Sequence, residues 1–121
     1  MKNIHDSLSV LINEVSKRIG FKIICGYRGK SDQEKAFKSG NSRAKFGQSP
    51  HNYIPALAID VIPKPFKGWN DYDGFNRVLE EFIKVSKEKN IEITLGRDFK
   101  IIKDYPHIEL KNWKSIVKTL K

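Results

Sequence analysis

A single acidic residue lies within an otherwise apolar segment of this chain. Residues 56–62 are apolar except for Asp60, and Pro63 follows them. A short apolar run that ends at a proline predicts a buried central strand. A carboxylate in such a strand is unfavourable by on the order of several kcal/mol unless a cationic partner or a metal ion neutralises it. The fold must therefore bring such a partner to Asp60.

Apolar periodicity predicts the remaining elements of secondary structure. We expect helices over about 4–19, 31–38 and 72–89, strands over 21–25, 91–95 and 106–110, and a C-terminal helix after Asn112. The second helix would begin at a capping box formed by Ser31 and Glu34, and residues 39–55 would form a long loop. Strands that are separated irregularly by helices and loops are typical of α+β folds. The 121 residues therefore predict one domain, residues 1–121, with a small, mostly antiparallel sheet flanked by helices.

Two of the three histidines lie where they could reach Asp60. Residues two apart on a strand share a face, so His107 and Glu109 would point to the same side of the last strand. If that strand neighbours the Asp60 strand, Asp60 and His107 converge, and His51 could reach over from the preceding loop. Two imidazoles and one carboxylate, with Asp104 nearby as a base, are the inventory of a catalytic zinc site. The same pattern also fits a surface His51 and an ordinary buried His107–Asp60 pair, so the residues alone leave both interpretations open.

The chain is strongly basic, with 23 lysines and arginines against 14 acidic residues and a formal net charge of +9. Such a charge favours polyanions, including nucleic acid and anionic cell-wall polymers. The basic residues are scattered along the whole chain, and no helix-turn-helix, zinc-finger or RNA-binding motif is recognisable. A basic nucleic-acid-binding module with structural histidines is therefore an alternative that only the charge supports.

The single cysteine, Cys25, excludes an internal disulfide and a cysteine-rich zinc site. It lies in the apolar run 21–25, which predicts a buried, unreactive thiol. The first residues lack the apolar segment of a signal peptide, and no stretch reaches membrane-spanning length. We therefore expect a protein that is made in the cytoplasm and does not insert into a membrane.

Five short motifs together resemble the zinc peptidases of the M15 family. They are Gly26-Tyr27-Arg28, Gln33, Ser49-x-His51, Ala58-x-Asp60 and Asp104-x-x-His107-x-Glu109. This family contains D-alanyl-D-alanine carboxypeptidases and dipeptidases and the phage L-alanyl-D-glutamate endopeptidases, and the resemblance implies their Hedgehog/DD-peptidase fold. Residues 96–110 look most like the small phage-encoded members, and the resemblance covers about residues 20–110.

The resemblance implies a role in catalysis for five of these residues. His51, Asp60 and His107 would bind Zn2+. Asp104 would be the catalytic base, which takes a proton from the attacking water and returns it to the leaving amine. Arg28 would stabilise the oxyanion that develops on the scissile carbonyl.

Three further residues would support this site. Gln33 would orient Arg28 or the substrate, and Ser49 would bind substrate or orient His51. Glu109 would contact a ligand rather than act as a fourth ligand, because a closed four-ligand site leaves no position for water.

One departure from the family concerns the loop between the first two ligands. The family often spaces them seven residues apart with an intervening glycine, whereas His51 and Asp60 are nine apart. We expect a longer loop containing Pro55 to absorb this difference without moving the strand, and to change the shape of the substrate pocket.

The implied reaction is hydrolysis of a peptide bond in cell-wall stem peptides. The L-alanyl-D-glutamate bond is the expected target, and the terminal D-alanyl-D-alanine bond is the alternative. The positive charge suits an anionic wall. The chain would then be a monomeric endolysin of phage or prophage origin, made in a bacterial cytoplasm, that reaches the wall after a partner permeabilises the membrane. A zinc-binding but inactive domain is a further alternative, which the presence of both Asp104 and Arg28 disfavours.

Overall fold

The structure, a computed structural model, describes residues 3–120. Within this range the chain forms α1 (Asp6–Ser16), β1 (Phe21–Cys25), α2 (Lys30–Lys38), β2 (Ala58–Pro63), α3 (Tyr72–Lys89), β3 (Ile93–Leu95), β4 (His107–Leu110) and α4 (Trp113–Leu120). Two single-turn 3-10 helices, Pro50–Asn52 and Gly96–Asp98, lie in the loops that precede β2 and β4. The predicted α+β class is confirmed.

The strands form one antiparallel sheet in the order β1-β2-β4-β3. β2 therefore pairs with β1 on one side and with β4 on the other. In the register of β2 and β4, Asp60 lies opposite His107, and Ala58 lies opposite Glu109. Directly opposed residues in a sheet share a face. The register thus brings Asp60 and His107 together, as their strand positions predicted.

One face of the β2 segment packs into the hydrophobic core. Leu57, Ile59 and Val61 are at most 1% exposed and belong to the same cluster of buried residues as α1 and α3. Burying an aliphatic side chain of this size stabilises a fold by about 1.5–3 kcal/mol, so these contacts hold β2 firmly. Because strand residues alternate between faces, Asp60 is left on the face away from this cluster.

Two amphipathic helices supply the other half of the core. α1 packs against α3, and α3 also contacts β2. The buried residues of α3 include Val78, Leu79, Phe82 and Val85, which recur at helical spacing. No helix within residues 3–120 is both long and apolar enough to cross a membrane.

The predicted capping box at the start of α2 is wrong. The helix begins at Lys30 after Gly29, which makes no side-chain capping bond. The first helical hydrogen bond runs from Gln33 N to Gly29 O at 2.9 Å, so Ser31 lies inside the first turn rather than before it. Gln33 faces inward from this helix, and its side chain is completely buried.

Candidate active site

Side chains from two strands and one loop place three donor atoms close together. Nδ1 of His107 lies 3.2 Å from Oδ1 of Asp60, and Nε2 of His51 lies 3.3 Å from the same oxygen. The two ring nitrogens are 3.3 Å apart. Donor atoms at the usual distance from a tetrahedral zinc ion stand about 3.3–3.5 Å from one another. The three donors therefore have the mutual spacing that tetrahedral zinc coordination requires.

The short helix Pro50–Asn52 holds His51 in place although the residue belongs to a loop. The Ser49 hydroxyl accepts a hydrogen bond from His51 N at 3.2 Å, and Oδ1 of Asn52 accepts one from Ser49 N at 3.1 Å. These bonds form a capping box, so Ser49 orients the main chain of His51. Asn52 was not among the predicted site residues, although its spacing from Ser49 is that of a capping box.

The second nitrogen of each imidazole also has a partner. Nδ1 of His51 donates to the Gly26 carbonyl at 2.7 Å, and Nε2 of His107 lies 2.7 Å from Oε1 of Glu109. The other Glu109 oxygen accepts from the Trp113 indole N–H at 3.1 Å. A proton on the outer nitrogen leaves the inner lone pair free for a metal, and such partners fix the ring orientation. No local sequence pattern links Trp113 to Glu109, and the hydrogen bond between them was not predicted.

The donor cluster carries a proton when no metal is bound. Burial lowers the pKa of His51, but hydrogen bonds to Asp60 and Cys25, together with the negative charges of these two groups, outweigh burial and raise that pKa to about 10. Burial raises the pKa of Asp60, yet its bonds with both histidines hold the pKa well below its usual range. Burial likewise lowers the pKa of His107, and its bonds to Asp60 and Glu109 raise the pKa overall. At neutral pH a metal cation therefore has to displace a proton from this cluster.

Asp104 approaches the donor cluster from the turn before β4. Its carboxylate lies within 4.8 Å of donor atoms of Asp60 and His107. Desolvation of the carboxyl group by its neighbours and the negative charge of Asp60 raise the pKa of Asp104. Its carbonyl oxygen accepts from His107 N at 3.1 Å, which fixes the main chain of Asp104 beside His107. A raised pKa strengthens the carboxylate as a base, which is what proton abstraction requires.

Gly96 allows this turn to close. A Cβ atom on residue 96 would collide with the Asp104 carbonyl oxygen and lie 2.8 Å from Cβ of His107. The Gly96 carbonyl accepts from Asp104 N at 2.9 Å, so the two segments are in direct contact. A glycine at the end of a strand signals such a close approach, although residue 96 was predicted only as part of a turn.

The Arg28 guanidinium faces the donor cluster. Its Nη2 atom lies 3.6 Å from Oδ2 of Asp60, and the side chain is 20% exposed. Its Nη1 atom donates to Oε1 of Gln33 at 3.1 Å, and Arg28 N donates to the His51 carbonyl at 2.7 Å. Arg28 is therefore held from both its main chain and its side chain, and it still presents an open edge to a substrate.

A buried amide joins Arg28 to the long loop. Gln33 is 0% exposed, and its Oε1 also accepts from Nδ2 of Asn52 at 3.1 Å. Its Nε2 donates to the Ser42 hydroxyl at 3.0 Å and to the Ala44 carbonyl at 2.7 Å. All four hydrogen-bonding positions of the amide are thus used. Fully satisfied buried networks are rigid, so Gln33 restrains both Arg28 and the loop.

Cys25 lies at the edge of the site, and the prediction that its thiol is buried is wrong. The residue is half-buried, because β1 alternates between intermediate and exposed positions. Its Sγ atom lies 3.7 Å from Nδ1 of His51 and 3.8 Å from Nη2 of Arg28. Burial raises the pKa of the thiol, but these neighbours lower it overall.

The long connection between His51 and Asp60 bends outward. Leu57 N donates to the Pro50 carbonyl at 2.9 Å, which returns the chain to the turn that carries His51. Ile54, between these points, is 60% exposed. The two side chains still meet at 3.3 Å, so the nine-residue spacing is accommodated in the loop.

Comparisons with known proteins agree on one family. A family model described as phage L-alanyl-D-glutamate peptidase matches residues 1–115. The peptidoglycan L-alanyl-D-glutamate endopeptidase CwlK of Bacillus subtilis (strain 168) is 32% identical over 107 residues, which cover 78% of this chain and 63% of that protein. The matched region thus spans less than two thirds of this curated relative.

A solved structure shows a similar fold. The crystal structure of the Serratia marcescens L-Ala D-Glu endopeptidase ChiX matches with a TM-score of 0.79 and 22% sequence identity, covering 93% of this chain and 84% of that chain. This match confirms the expected α+β architecture of the DD-peptidase type.

Proposed function

The chain belongs to the family of phage L-alanyl-D-glutamate peptidases, and we propose that it is a zinc-dependent peptidoglycan endopeptidase. In this proposal it hydrolyses the bond between L-alanine and D-glutamate in cell-wall stem peptides. The observation that carries the proposal is the set of three donor atoms from His51, Asp60 and His107, which are 3.2–3.3 Å apart.

We assign His51, Asp60 and His107 as the zinc ligands. Their spacing fits the ion, and the outer nitrogens of both rings have the partners expected of metal-bound histidines. When bound, zinc supplies Lewis acidity, which polarises the peptide carbonyl and lowers the pKa of a coordinated water to about 7. Glu109 is held by Trp113 and serves to orient His107.

The chain's own residues supply the proton transfer and the charge stabilisation. Asp104 takes a proton from the attacking water while the oxygen of that water forms a bond to the alanyl carbonyl carbon. It then gives that proton to the D-glutamate nitrogen as the C–N bond breaks. Arg28 places a positive charge where the carbonyl oxygen becomes negative, and Gln33 holds the guanidinium in that position.

The family supports the choice of bond. Both the family description and the two named relatives specify the L-alanyl-D-glutamate bond, whereas the zinc chemistry alone would serve a D-alanyl-D-alanine carboxypeptidase equally well. We therefore favour the endopeptidase.

Digestion of purified cell-wall sacculi by the zinc-loaded protein tests this function. Mass spectrometry should find a new N-terminal D-glutamate, and metal analysis should find one zinc ion per chain. Loss of a single terminal alanine would instead identify a carboxypeptidase. Unchanged stem peptides in zinc-containing buffer would refute the peptidase function.

Asp104→Asn is the matched variant for the base, because it keeps the size of the side chain and removes its basicity. We expect a loss of turnover of at least about 100-fold with an unchanged zinc content. Full activity in this variant would show that another group accepts the proton.

Peptidoglycan lies outside the cytoplasmic membrane, and we propose that the enzyme, as a phage or prophage endolysin, reaches it after a partner protein permeabilises that membrane. Expression in a bacterial host should cause lysis only when a membrane-permeabilising agent is added. Lysis by the chain alone would refute the need for such a partner.

A further inference from the structure

A series of contacting aromatic rings runs from the loop after β2 to the candidate base. The centroid distances are 5.0 Å for Phe66–Trp69, 6.3 Å for Trp69–Phe75, 6.1 Å for Phe75–Tyr105 and 4.8 Å for Tyr105–Tyr72. Tyr105 directly follows Asp104 in the chain. We call Phe66, Trp69, Tyr72 and Tyr105 the aromatic platform.

The platform is anchored in the core and open to solvent. Phe75, the core ring that contacts both Trp69 and Tyr105, is 1% exposed, whereas Phe66, Trp69 and Tyr72 are 42%, 58% and 48% exposed. Trp69 stacks on Phe75 with an interplanar angle of 19°, so the indole is held by a buried ring. Contiguous exposed apolar surface on a small protein marks a binding site. Because the rings already pack on one another, a ligand would not have to order them.

The charge around the platform favours an uncharged ligand. Lys64 and Lys67 are balanced by Asp71 and Asp73, so residues 64–73 carry no net charge in a chain of +9. A surface for nucleic acid or anionic lipid would instead concentrate positive charge. Tryptophan and tyrosine combine an apolar face with a polar edge, and the face attracts the partly positive C–H groups of a sugar ring for the same reason that it attracts cations.

The proposed substrate places a sugar near this surface. In peptidoglycan the L-alanine of the stem peptide is joined to the lactyl group of an amino sugar. One extended residue spans about 3.5 Å, so the sugar lies only about two such lengths from the bond between L-alanine and D-glutamate. The platform reaches the residue next to Asp104. An enzyme that cuts this bond therefore meets the glycan strand within a few residue lengths of its reacting groups, and the platform adjoins one of these groups along the chain.

We propose that the aromatic platform binds the N-acetylated amino sugars of the glycan strand next to the scissile stem peptide. This inference rests on the proposed function, because the position of the sugar follows from the bond that is cut. The platform makes the enzyme prefer a stem peptide that is still attached to the glycan.

Two substrates and two variants test the proposal. The substrates are a disaccharide-tetrapeptide muropeptide and the same tetrapeptide without sugar. The wild-type protein should cleave the muropeptide with the higher kcat/KM. Trp69→Ala should lower kcat/KM for the muropeptide roughly tenfold, mainly through KM, and should leave the free peptide unaffected. Phe37→Ala, which removes a ring that is 40% exposed on α2, should change neither.

A direct titration of the wild-type protein requires no variant. N-acetylglucosamine oligomers should alter the tryptophan fluorescence, and Trp69→Phe should abolish most of this change. If the oligomers bind but no peptide is cleaved, the platform stands and the proposed function fails. If the peptide is cleaved without a preference for the muropeptide, and the oligomers leave the fluorescence unchanged, the platform proposal fails.

Two other results would also overturn the proposal. An equal loss of activity on both substrates in Trp69→Ala would show that the ring has only a structural role. Trp69-dependent binding to phosphatidylglycerol vesicles, without any response to the oligomers, would identify the platform as a lipid-binding surface.

Discussion

Zinc binding to the metal-free protein should release protons in a predictable amount. The pKa of His51 is raised to about 10 by Asp60 and Cys25 together, so at pH 7 nearly every metal-free molecule carries a proton on this ring. Zinc needs the neutral imidazole. Removing that proton at pH 7 opposes binding by about 4 kcal/mol, since each pKa unit corresponds to about 1.4 kcal/mol. The apparent zinc association constant should therefore rise at least about tenfold per pH unit between pH 7 and 9.

Isothermal titration calorimetry measures this proton release directly. Titrations of zinc into chelator-treated protein, in buffers with different ionisation enthalpies, give the number of protons released per ion. We expect at least one at pH 7, because the pKa of His107 is raised as well. His5→Asn removes the histidine that caps α1 and retains a capping side chain, so it should leave the number unchanged.

A pH-independent zinc affinity between pH 7 and 9 would refute this reasoning. It would mean that both imidazoles are already neutral in the metal-free protein and that the contact between Asp60 and His51 does not hold a proton. An unchanged proton count in His51→Gln would likewise assign the proton to another group.

Three further predictions follow from the same geometry. Gly96→Ala should lower turnover by at least about tenfold, because it displaces the main chain of Asp104; steady-state kinetics with metal analysis would measure it. Glu109→Gln should weaken zinc binding by about 10–100-fold, measured by competition with a chelator, since His107 loses its charged partner. In the metal-free protein, protonated His51 stabilises the fold. This contribution is complete below the pKa of His51 in the unfolded chain, about 6.5, and is lost as the pH rises toward 10. Thermal unfolding should therefore show an alkaline loss of stability that zinc suppresses.

Strand periodicity predicted which side chains of β2 and β4 share a face. The apolar run around Asp60 and the alternation of His107 and Glu109 are local rules, and the antiparallel pairing of β2 with β4 makes the residues meet. The order of the strands is a tertiary property, and it also places Cys25 of β1 beside His51. The sequence therefore predicted the residues on each strand better than the neighbours that each strand would have.

The supporting hydrogen bonds were harder to predict, because their partners lie in segments without periodicity. Gln33 bonds to Ser42 and Ala44 in the irregular loop, and no spacing rule relates these residues. A glutamine on a helix also looks the same in sequence whether it faces water or the core. The burial of Gln33 depends on the loop that packs over it, which is a tertiary property.

The strand residues and the loop residues of the site differ in how firmly they are held. Asp60 and His107 lie on adjacent strands that pack against the core, so substitutions in the loops leave their spacing unchanged. His51 and Arg28 are joined by a main-chain hydrogen bond and are both restrained through Asn52, which bonds to the Ser49 main chain and to Gln33. A change in the loop should therefore move His51, the proposed third zinc ligand, together with Arg28, the residue proposed to stabilise the oxyanion. The connection from His51 to Asp60, which are nine residues apart, begins in the same loop. Differences from related enzymes in substrate choice should therefore arise in this loop rather than in the sheet.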